Sequence, residues 1–305
     1  MSEMWLAPAF DPPYDPVQLA RCGECELVCA LGVTEQALGA AYDDEYYGSP
    51  EKKFLGAIEG ILSSLVRRRV EKLMRHCSDG TAGTPRVLDI GCGRGQLLEA
   101  FKEMGAIVTG LERQEFPGRP GYIQISELGD SRFSGEAFDL IILWHALEHL
   151  PSMKLMLDEI CDHLNEGGVV AIALPGFSSW QSRLFGRHWF HLDLPRHLLH
   201  VSNAQLIQAL RQRGMDIIGV SHFDLLQNVF GFVQSALNVL LPRRANNFYR
   251  LFKSSGRSHA LPLFGWMILA VPILPFAMIE YLLAGVAGRG ATVQVFARKS
   301  MSSLS

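Results

Sequence analysis

An α/β fold, with helices on both faces of a largely parallel sheet, is the class this sequence predicts, and three stretches predict it. The first is Val87-Leu88-Asp89-Ile90-Gly91-Cys92-Gly93-Arg94-Gly95, an apolar run that breaks into glycines at alternate positions. The run reads as a short buried strand, and Gln96-Leu97-Leu98-Glu99-Ala100-Phe101 resumes at helical spacing. The second stretch, Ala106-Ile107-Val108-Thr109-Gly110-Leu111-Glu112, is another strand ending in an acid. The third, Phe138-Asp139-Leu140-Ile141-Ile142-Leu143-Trp144-His145, is apolar enough to be buried on both sides.

The first stretch makes a nucleotide-type pocket. Glycine lets the backbone turn sharply and lets a ligand approach where a Cβ would clash. The following helix presents unpaired N–H groups to an anionic group such as a carboxylate. A dinucleotide fingerprint would need a third glycine at position 96, which is Gln96. Glu112 lies about twenty residues beyond the loop, the distance at which a ribose-binding carboxylate sits in a βαβ unit. Its two oxygens can accept both ribose hydroxyls.

Asp89 two residues before Gly91, with Gly93 and Gly95 following, resembles motif I of the class I S-adenosylmethionine (SAM)-dependent methyltransferases. Ala146-Leu147-Glu148-His149-Leu150-Pro151 after the third strand resembles the region around the family's motif IV. The likeness is to a bacterial group similar to the ubiquinone-biosynthesis methyltransferases. It implies a Rossmann-like seven-stranded sheet, SAM as cofactor and methyl transfer as activity. Asp89, Gly91, Cys92, Gly93 and Gly95 would then wrap the methionine and ribose part of SAM, with Asp89 on its ammonium group. Glu112 would take the ribose, Glu127 and Leu128 would stand at the adenine, and Trp144 would close the cofactor side.

Length and composition set the frame. The chain has 305 residues, 48% of them hydrophobic and 19% charged, and lies on the apolar side for a soluble enzyme. A net charge of −3 makes no case for nucleic acid as a partner. The N-terminus lacks the basic and apolar regions of a signal peptide. Six scattered cysteines suggest the reducing cytosol rather than a disulfide framework.

Taken in order, residues 1–48 form an N-terminal segment whose first part is proline-rich and reads as extended. It contains Cys22-Gly23-Glu24-Cys25 and Cys29. A Cys-x-x-Cys pair is half of a tetrahedral zinc site, and no second pair follows. The resembling group carries such a knuckle before an acidic, tyrosine-rich stretch like Tyr42–Tyr47. Without the earlier pair that completes it there, a remnant that holds no metal is the expectation. Residues 49–223 are the core domain, opening with a helix started by Ser49-Pro50. Its basic end, Arg67, Arg68, Arg69, Lys72 and Arg75, reads as a solvated face. Tyr122–Ile125 is the third strand, Pro151–Leu164 a helix stopped by Asn165-Glu166-Gly167-Gly168, and Val169–Leu174 the fifth strand. Met215–Val220 is the sixth. The seventh, within 290–305, is Ala291–Arg298, which the resemblance inserts between strands five and six.

His145-Ala146-Leu147-Glu148-His149 also matches a zinc-peptidase pattern, H-x-x-E-H. That pattern needs both histidines on one helix face, whereas here the first ends a strand. A polar-aromatic run, Trp180 to Ser202, resembles the substrate-side signature of the methyltransferase group, closing with Pro195-Arg196-His197. From it and its neighbour come His145 and His197 as candidate bases, and His149, Trp189 and Arg196 as substrate-binding candidates. A structural lid, with Arg196 and His197 pairing Asp193, is the alternative.

Residues 224–289 are an apolar and basic insertion before the last strand. No acidic residue occurs from Leu225 to Ile279, and Arg243, Arg244, Arg250, Lys253 and Arg257 lie within it. Leu225–Leu241 carries a narrow uncharged stripe of Gln227, Gln234 and Asn238, and Ala260–Ile279 is uncharged. A single membrane crossing would keep the seventh strand from its sheet. The expectation is therefore an interfacial or re-entrant hairpin against anionic lipid on the cytoplasmic face of the cell membrane. A cap buried on the protein or in a homodimer is the alternative. The acceptor expected is a hydroxyl, or an activated carbon, of a hydrophobic or lipid-linked small molecule; a soluble methyltransferase of a sugar or small metabolite, with the insertion as dimer interface, is the alternative, and a non-catalytic SAM-fold binding protein is the reading from another class.

Overall fold

The computed structural model describes residues 3–9, 15–42, 56–78, 83–126, 135–253 and 260–300. The helix start expected at Ser49-Pro50 and the adenine-side pair Glu127 and Leu128 lie outside them. The described residues group into two compact units, one drawn from 1–52, 175–205 and 221–293, the other from 53–174, 206–220 and 294–305.

The first unit opens with a small antiparallel sheet rather than an extended tail. Strands β1 (Glu3–Ala7), β2 (Val17–Arg21) and β3 (Val28–Leu31) pair in sequence, with Trp5 opposite Leu19 and Leu19 opposite Ala30. Val28 then pairs with His200, so the two-residue strand Leu199–His200 completes a sheet of four. Alternation puts Val17 and Leu19 inside against Trp189, Leu192 and Leu194. The Cys22–Cys25 segment is the turn between β2 and β3, closed by Cys22 N–H to Leu27 O at 2.9 Å and Glu26 N–H to Cys22 O at 3.1 Å. Helix α1 (Glu35–Ala41) follows, capped by Thr34.

The second unit holds the larger sheet. Helix α2 (Gly56–Ser78) leads to β4 (Arg86–Ile90), α3 (Gln96–Glu103), β5 (Ile107–Glu112), β6 (Ile123–Ile125) and β7 (Phe138–Trp144). Then come α4 (Met153–His163), β8 (Leu164–Pro175), α6 (Asn203–Arg211, after α5 and β9 in the chain), β10 (Met215–Ser221) and β11 (Thr292–Lys299). The order is β10-β11-β8-β7-β4-β5-β6, and β11 lies between β8 and β10 as the resemblance implied. Parallel register sets Asp89 opposite Gly110 and opposite Ile142. Val87, Leu140, Ile142, Val169 and Ala171 form the core with Phe101, Val70, Leu73 and Phe296. One expectation needs correcting: β8 starts at Leu164, and the run read as a helix stop is already strand. Gly167 at φ +75° and a register shift between Phe138 and Leu140 let the chain enter the sheet early.

The insertion belongs to the first unit. There α5 (Trp180–Phe185) is followed by β9 (Leu199–His200), α7 (Leu225–Leu240), α8 (Asn247–Lys253), α9 (Ala260–Ala270) and α10 (Leu274–Val286). Gln234 and Asn238 of the polar stripe of α7 face inward and are satisfied. Gln234 Nε2 donates to Asn238 Oδ1 at 2.8 Å, and Gln234 Oε1 accepts Tyr249 N–H at 2.9 Å. Ser235 Oγ accepts Phe190 N–H at 2.8 Å. Gly231 is required here, because a Cβ would lie 2.3 Å from His191 Nε2. Among the described side chains of α9 and α10, Trp266, Ala270, Ala277 and Ala284 are the well-buried ones, with Gly285 beside them. Phe264–Val286 spans 23 residues and contains an 18-residue window of mean hydropathy 2.0, of which 17% is buried.

Tight packing of the larger sheet against α3 gives a test. A Cβ at Gly110 would lie 2.6 Å from Leu98 Cδ1 and 2.7 Å from Cys92 Sγ. Gly110→Ala is expected to cost about 1–3 kcal/mol by chemical denaturation, the usual range for overpacking.

Candidate active site

The glycine loop takes its shape from backbone conformations that side chains resist. Gly91, Gly93 and Gly95 have φ of +74°, +54° and +78°. At Gly91 a Cβ would also sit 2.8 Å from Ala146 Cβ, so the residue after His145 packs directly on the loop. At Gly93 a Cβ would meet nothing within 4 Å, which leaves open space above the loop. Gly91 and Cys92 donate N–H to Leu111 O at 2.9 and 3.0 Å, tying the loop to the end of β5.

Two acids sit at the ends of adjacent strands. Glu112 Oε2 accepts Gly93 N–H at 2.7 Å, and Oε1 accepts Arg113 N–H at 2.8 Å. A carboxylate has about four lone-pair sites, so these two bonds do not exhaust it. Asp89 is buried, and its Oδ1 has no hydrogen-bond partner. Burial, and then the charge of Glu112, push the Asp89 carboxyl up to about 8, while Arg69 opposes the shift. Arg69 stacks its guanidinium 3.9 Å from the centre of the Trp144 ring. Burial beside both acids raises the Cys92 thiol, which makes it a packing group rather than a nucleophile.

At the end of β7 the chain turns through His145, a non-glycine residue at φ +55°. Such left-handed backbone is uncommon and is held here by His145 N–H to Ala173 O at 2.8 Å. His145 Nδ1 lies 3.3 Å from Oε1 of the buried Glu148, and its Nε2 is buried without a partner. If Nδ1 carries the proton toward Glu148, Nε2 is left as an acceptor, the form a base requires. Leu147–His149 is a single 3₁₀ turn, so the two histidines of the peptidase pattern do not share a helix face. His149 is half-buried at its end.

The remaining candidates lie in the first unit and are engaged there. Arg196 Nε donates to Asp193 Oδ2 at 3.0 Å, its Nη2 to Asp193 Oδ1, and its Nη1 to Ala41 O at 3.4 Å. His197 Nδ1 lies 2.9 Å from His191 O and its Nε2 3.6 Å from Asp193 Oδ2. Trp189 is 1% exposed and packs with Val28 and Leu194. The contacts of Trp189 and Arg196 are therefore structural. Of the two histidines expected as base, His145 has the geometry for it. Cys22, Cys25 and Cys29 are free thiols, and the N–H groups of Cys25 and Glu24 hold the Cys22 thiol below its ordinary range.

Two residues escaped the sequence reading. Glu148 stands in the peptidase pattern and in the segment resembling the motif IV region, with no role of its own, though its spacing of three from His145 allows the pair. Arg69 was read as solvated, yet it continues the stripe of Val66 and Leu73 at spacings of three and four, which placed it on the inward face.

This arrangement defines a nucleotide-type methyl-donor site, and the comparisons give its family. A family profile described as "Methyltransferase domain" matches residues 61–220, and the chain belongs to that family. It is similar to a protein named ubiquinone biosynthesis O-methyltransferase from Maricaulis maris (strain MCS10), 28% identical over 177 residues, covering 51% of this chain and 70% of that one. A protein of the same name from Shewanella sp. (strain ANA-3) is 34% identical over 107 residues, and the match spans 30% of this chain but only 45% of the relative's length. A crystal structure of a SAM dependent methyltransferase from Archaeoglobus fulgidus is 20% identical with a TM-score of 0.47, covering 78% of this chain and 94% of that one.

The chain thus carries a methyltransferase domain, and the residues of its glycine loop fit SAM. The space above Gly93 admits a ligand that a side chain would exclude. Asp89, with an orphan buried oxygen, suits the ammonium group, and Arg69 beside it suits a carboxylate. Glu112 ends β5 beside the loop, the place of a ribose-binding carboxylate in a βαβ unit.

Two outcomes follow. Glu112→Ala should weaken SAM binding at least tenfold by calorimetry, about 1.4 kcal/mol, while leaving the protein folded. Because the Asp89 carboxyl is raised in the folded state, its contribution to stability is present below the ordinary carboxylate range and lost as pH rises toward about 8. The thermal midpoint of Asp89→Asn, relative to the unmutated protein, should therefore rise between about pH 6 and about pH 9. A pH-independent difference would contradict the burial of that charge.

Proposed function

We propose that this methyltransferase methylates a hydroxyl of an apolar, lipid-like acceptor at the cytoplasmic surface of a membrane. The observation that carries the proposal is the outer face of α9 and α10. Phe264, Ile268, Phe276, Ile279, Leu283 and Val286 are each more than half exposed. Monomeric soluble proteins rarely leave an apolar patch larger than a few hundred Å² without a partner. The buried side of the same helices is mainly a stripe of alanines at seven-residue spacing, Ala270, Ala277 and Ala284, so most of the circumference has no protein against it.

Charge complements this face. Arg243 and Arg244 are exposed just beyond Leu240, itself 64% exposed, and the acid-free run from Leu225 to Ile279 surrounds them. Basic residues near anionic headgroups contribute about 1 kcal/mol each. Strands β10 and β11, which bracket the insertion, belong to one sheet. The insertion must leave and return on one side, so α9 and α10 lie along the interface rather than across it.

The relatives' printed name, a ubiquinone biosynthesis O-methyltransferase, supports oxygen as the accepting atom and a quinone precursor as the kind of acceptor. When bound, SAM supplies an electrophilic methyl group on its sulfonium. What the chain must add is alignment, exclusion of water and a place for the proton. On this proposal His145 Nε2 accepts the hydroxyl proton, and Glu148 holds Nδ1–H and balances the imidazolium that results. The left-handed turn at His145, packed on the glycine loop through Ala146, fixes the ring relative to that loop.

Two measurements test the proposal. His145→Gln should lower turnover on a prenylated hydroquinone by about 10²–10⁴-fold, the range for loss of a general base, with SAM affinity retained; equal turnover removes His145 from the mechanism. The protein should sediment with phosphatidylglycerol liposomes, less so at high salt and less so as Arg243→Glu/Arg244→Glu. A protein that stays in the supernatant as a dimer would assign the apolar face to a second copy instead.

A further inference from the structure

The Cys-x-x-Cys pair takes no part in the site described above, and its turn has the build of a reactive dithiol. Cys22 follows β2, and the chain reverses through Gly23, Glu24 and Cys25 before β3. Glu26 N–H to Cys22 O at 3.1 Å winds residues 22–26 into a single uncontinued helical turn, which Glu26 ends at φ +57°. Cys22 N–H to Leu27 O at 2.9 Å closes it, and Gln205 Nε2 holds Cys25 O at 2.7 Å. Residues three apart across a tight turn have Cα atoms within about 7 Å. A disulfide spans about 4.4–6.8 Å between Cα atoms, so the pair can close without unfolding the turn.

Both sulfurs are reachable: Cys25 is exposed and Cys22 partly so. The backbone N–H groups of Cys25 and Glu24 point at the Cys22 sulfur, and the Cys25 thiol is within hydrogen-bond reach of it. Together they hold the Cys22 thiol below its ordinary range, against a weaker opposing effect of burial and of the Glu24 charge. Donors aimed at a sulfur favour the thiolate, the form that acts as a nucleophile.

The other described cysteines provide a contrast within the same chain. Cys29 stands opposite Ala20 of β2, on the face that Cys22 shares by alternation, so it is close to the pair. It is half-buried, and burial followed by the charges of Cys25 and Cys22 raises its thiol. Burial raises Cys92 and Cys161 as well. Among these thiols, accessibility and backbone donors coincide at Cys22.

We infer that Cys22 and Cys25 form a thiol–disulfide exchange site for low-molecular-weight disulfides, with Cys22 as the attacking sulfur and Cys25 as the resolving one. In the first step the Cys22 thiolate attacks one sulfur of a disulfide R–S–S–R; its S–S bond breaks, and R–S⁻ leaves with the electron pair. Cys25 then gives up its proton, attacks the Cys22 sulfur and expels the second R–S⁻. The protein dithiol loses two hydrogens and is oxidised, and the small disulfide gains them as two thiols and is reduced. A reducing compartment keeps the pair open, and a rise in oxidised small thiols closes it.

The test exposes the reduced full chain to glutathione disulfide, blocks remaining thiols with N-ethylmaleimide and weighs the cysteine peptides. Cys22 and Cys25 should together lose two hydrogens and take up no maleimide, with dithiothreitol restoring both thiols. This reaction should run about tenfold or more faster than any oxidation of Cys29 or Cys161. Cys25→Ser should stop at the first step, with one glutathione held on Cys22. Cys22→Ser should take up glutathione about tenfold or more slowly than the unmutated chain. Both variants should keep the thermal midpoint, because main-chain hydrogen bonds close the turn. Equal reactivity of Cys22, Cys29 and Cys161 would overturn the inference. So would a bridge from Cys22 to Cys29 in place of Cys25, or a glutathione adduct that persists on the unmutated chain without resolution.

Discussion

The bond from Gly93 N–H to Glu112 Oε2, at 2.7 Å, is the contact on which the cofactor site depends. It joins the loop after β4 to the end of β5, and the parallel register of those strands makes it possible by setting Ile90 opposite Leu111. The loop reaches the acid only because its glycines accept positive φ. Everything that shapes the donor pocket then follows: the closeness of Gly91 to Ala146, the turn at His145, and the ring of Trp144 beneath Arg69.

That geometry has an electrostatic cost which the fold uses. Bringing Glu112 to the loop places it near Asp89, already buried, and two carboxylates in one apolar environment cannot both ionise freely. Asp89 is the one that yields, with its carboxyl raised and one oxygen unsatisfied. A cationic ligand group relieves both problems at once. Binding energy for SAM thus comes partly from repairing strain stored in the free protein, the usual relation between an active site and stability. His145 in left-handed backbone is a second instance.

How much of this the sequence showed depends on the range of the interactions. The strands β4, β5 and β7 were legible because each is a continuous apolar run, and Asp89 and Glu112 because each ends one. The Rossmann-like order, with β11 between β8 and β10, followed from the resemblance and stands in the structure. The polar stripe of α7 was visible as spacing, but the partners of Gln234 and Asn238, Tyr249 and Asn246, come from other segments and carry no local signal. The N-terminal strands were missed for the same reason: the sheet closes through Val28 and His200, far apart in the chain. Trp189 and Arg196 looked like substrate residues because aromatic and basic side chains serve either purpose; only burial and the pairing with Asp193 tell them apart. Arg69 and Glu148 were hidden by position, one inside a basic run and the other inside motif segments that give it no separate role.

A glycine loop that fits SAM and a helical face of exposed apolar side chains belong to one protein, and the proposed function joins them at a bilayer. The most direct test supplies methyl-labelled SAM to the protein with a membrane extract of the source cells, then partitions the products between organic and aqueous phases. The account predicts label in the organic phase, on a lipid-like acceptor. Label confined to water-soluble products would contradict it, and would leave the outer face of α9 and α10 to be explained as a contact between protein copies.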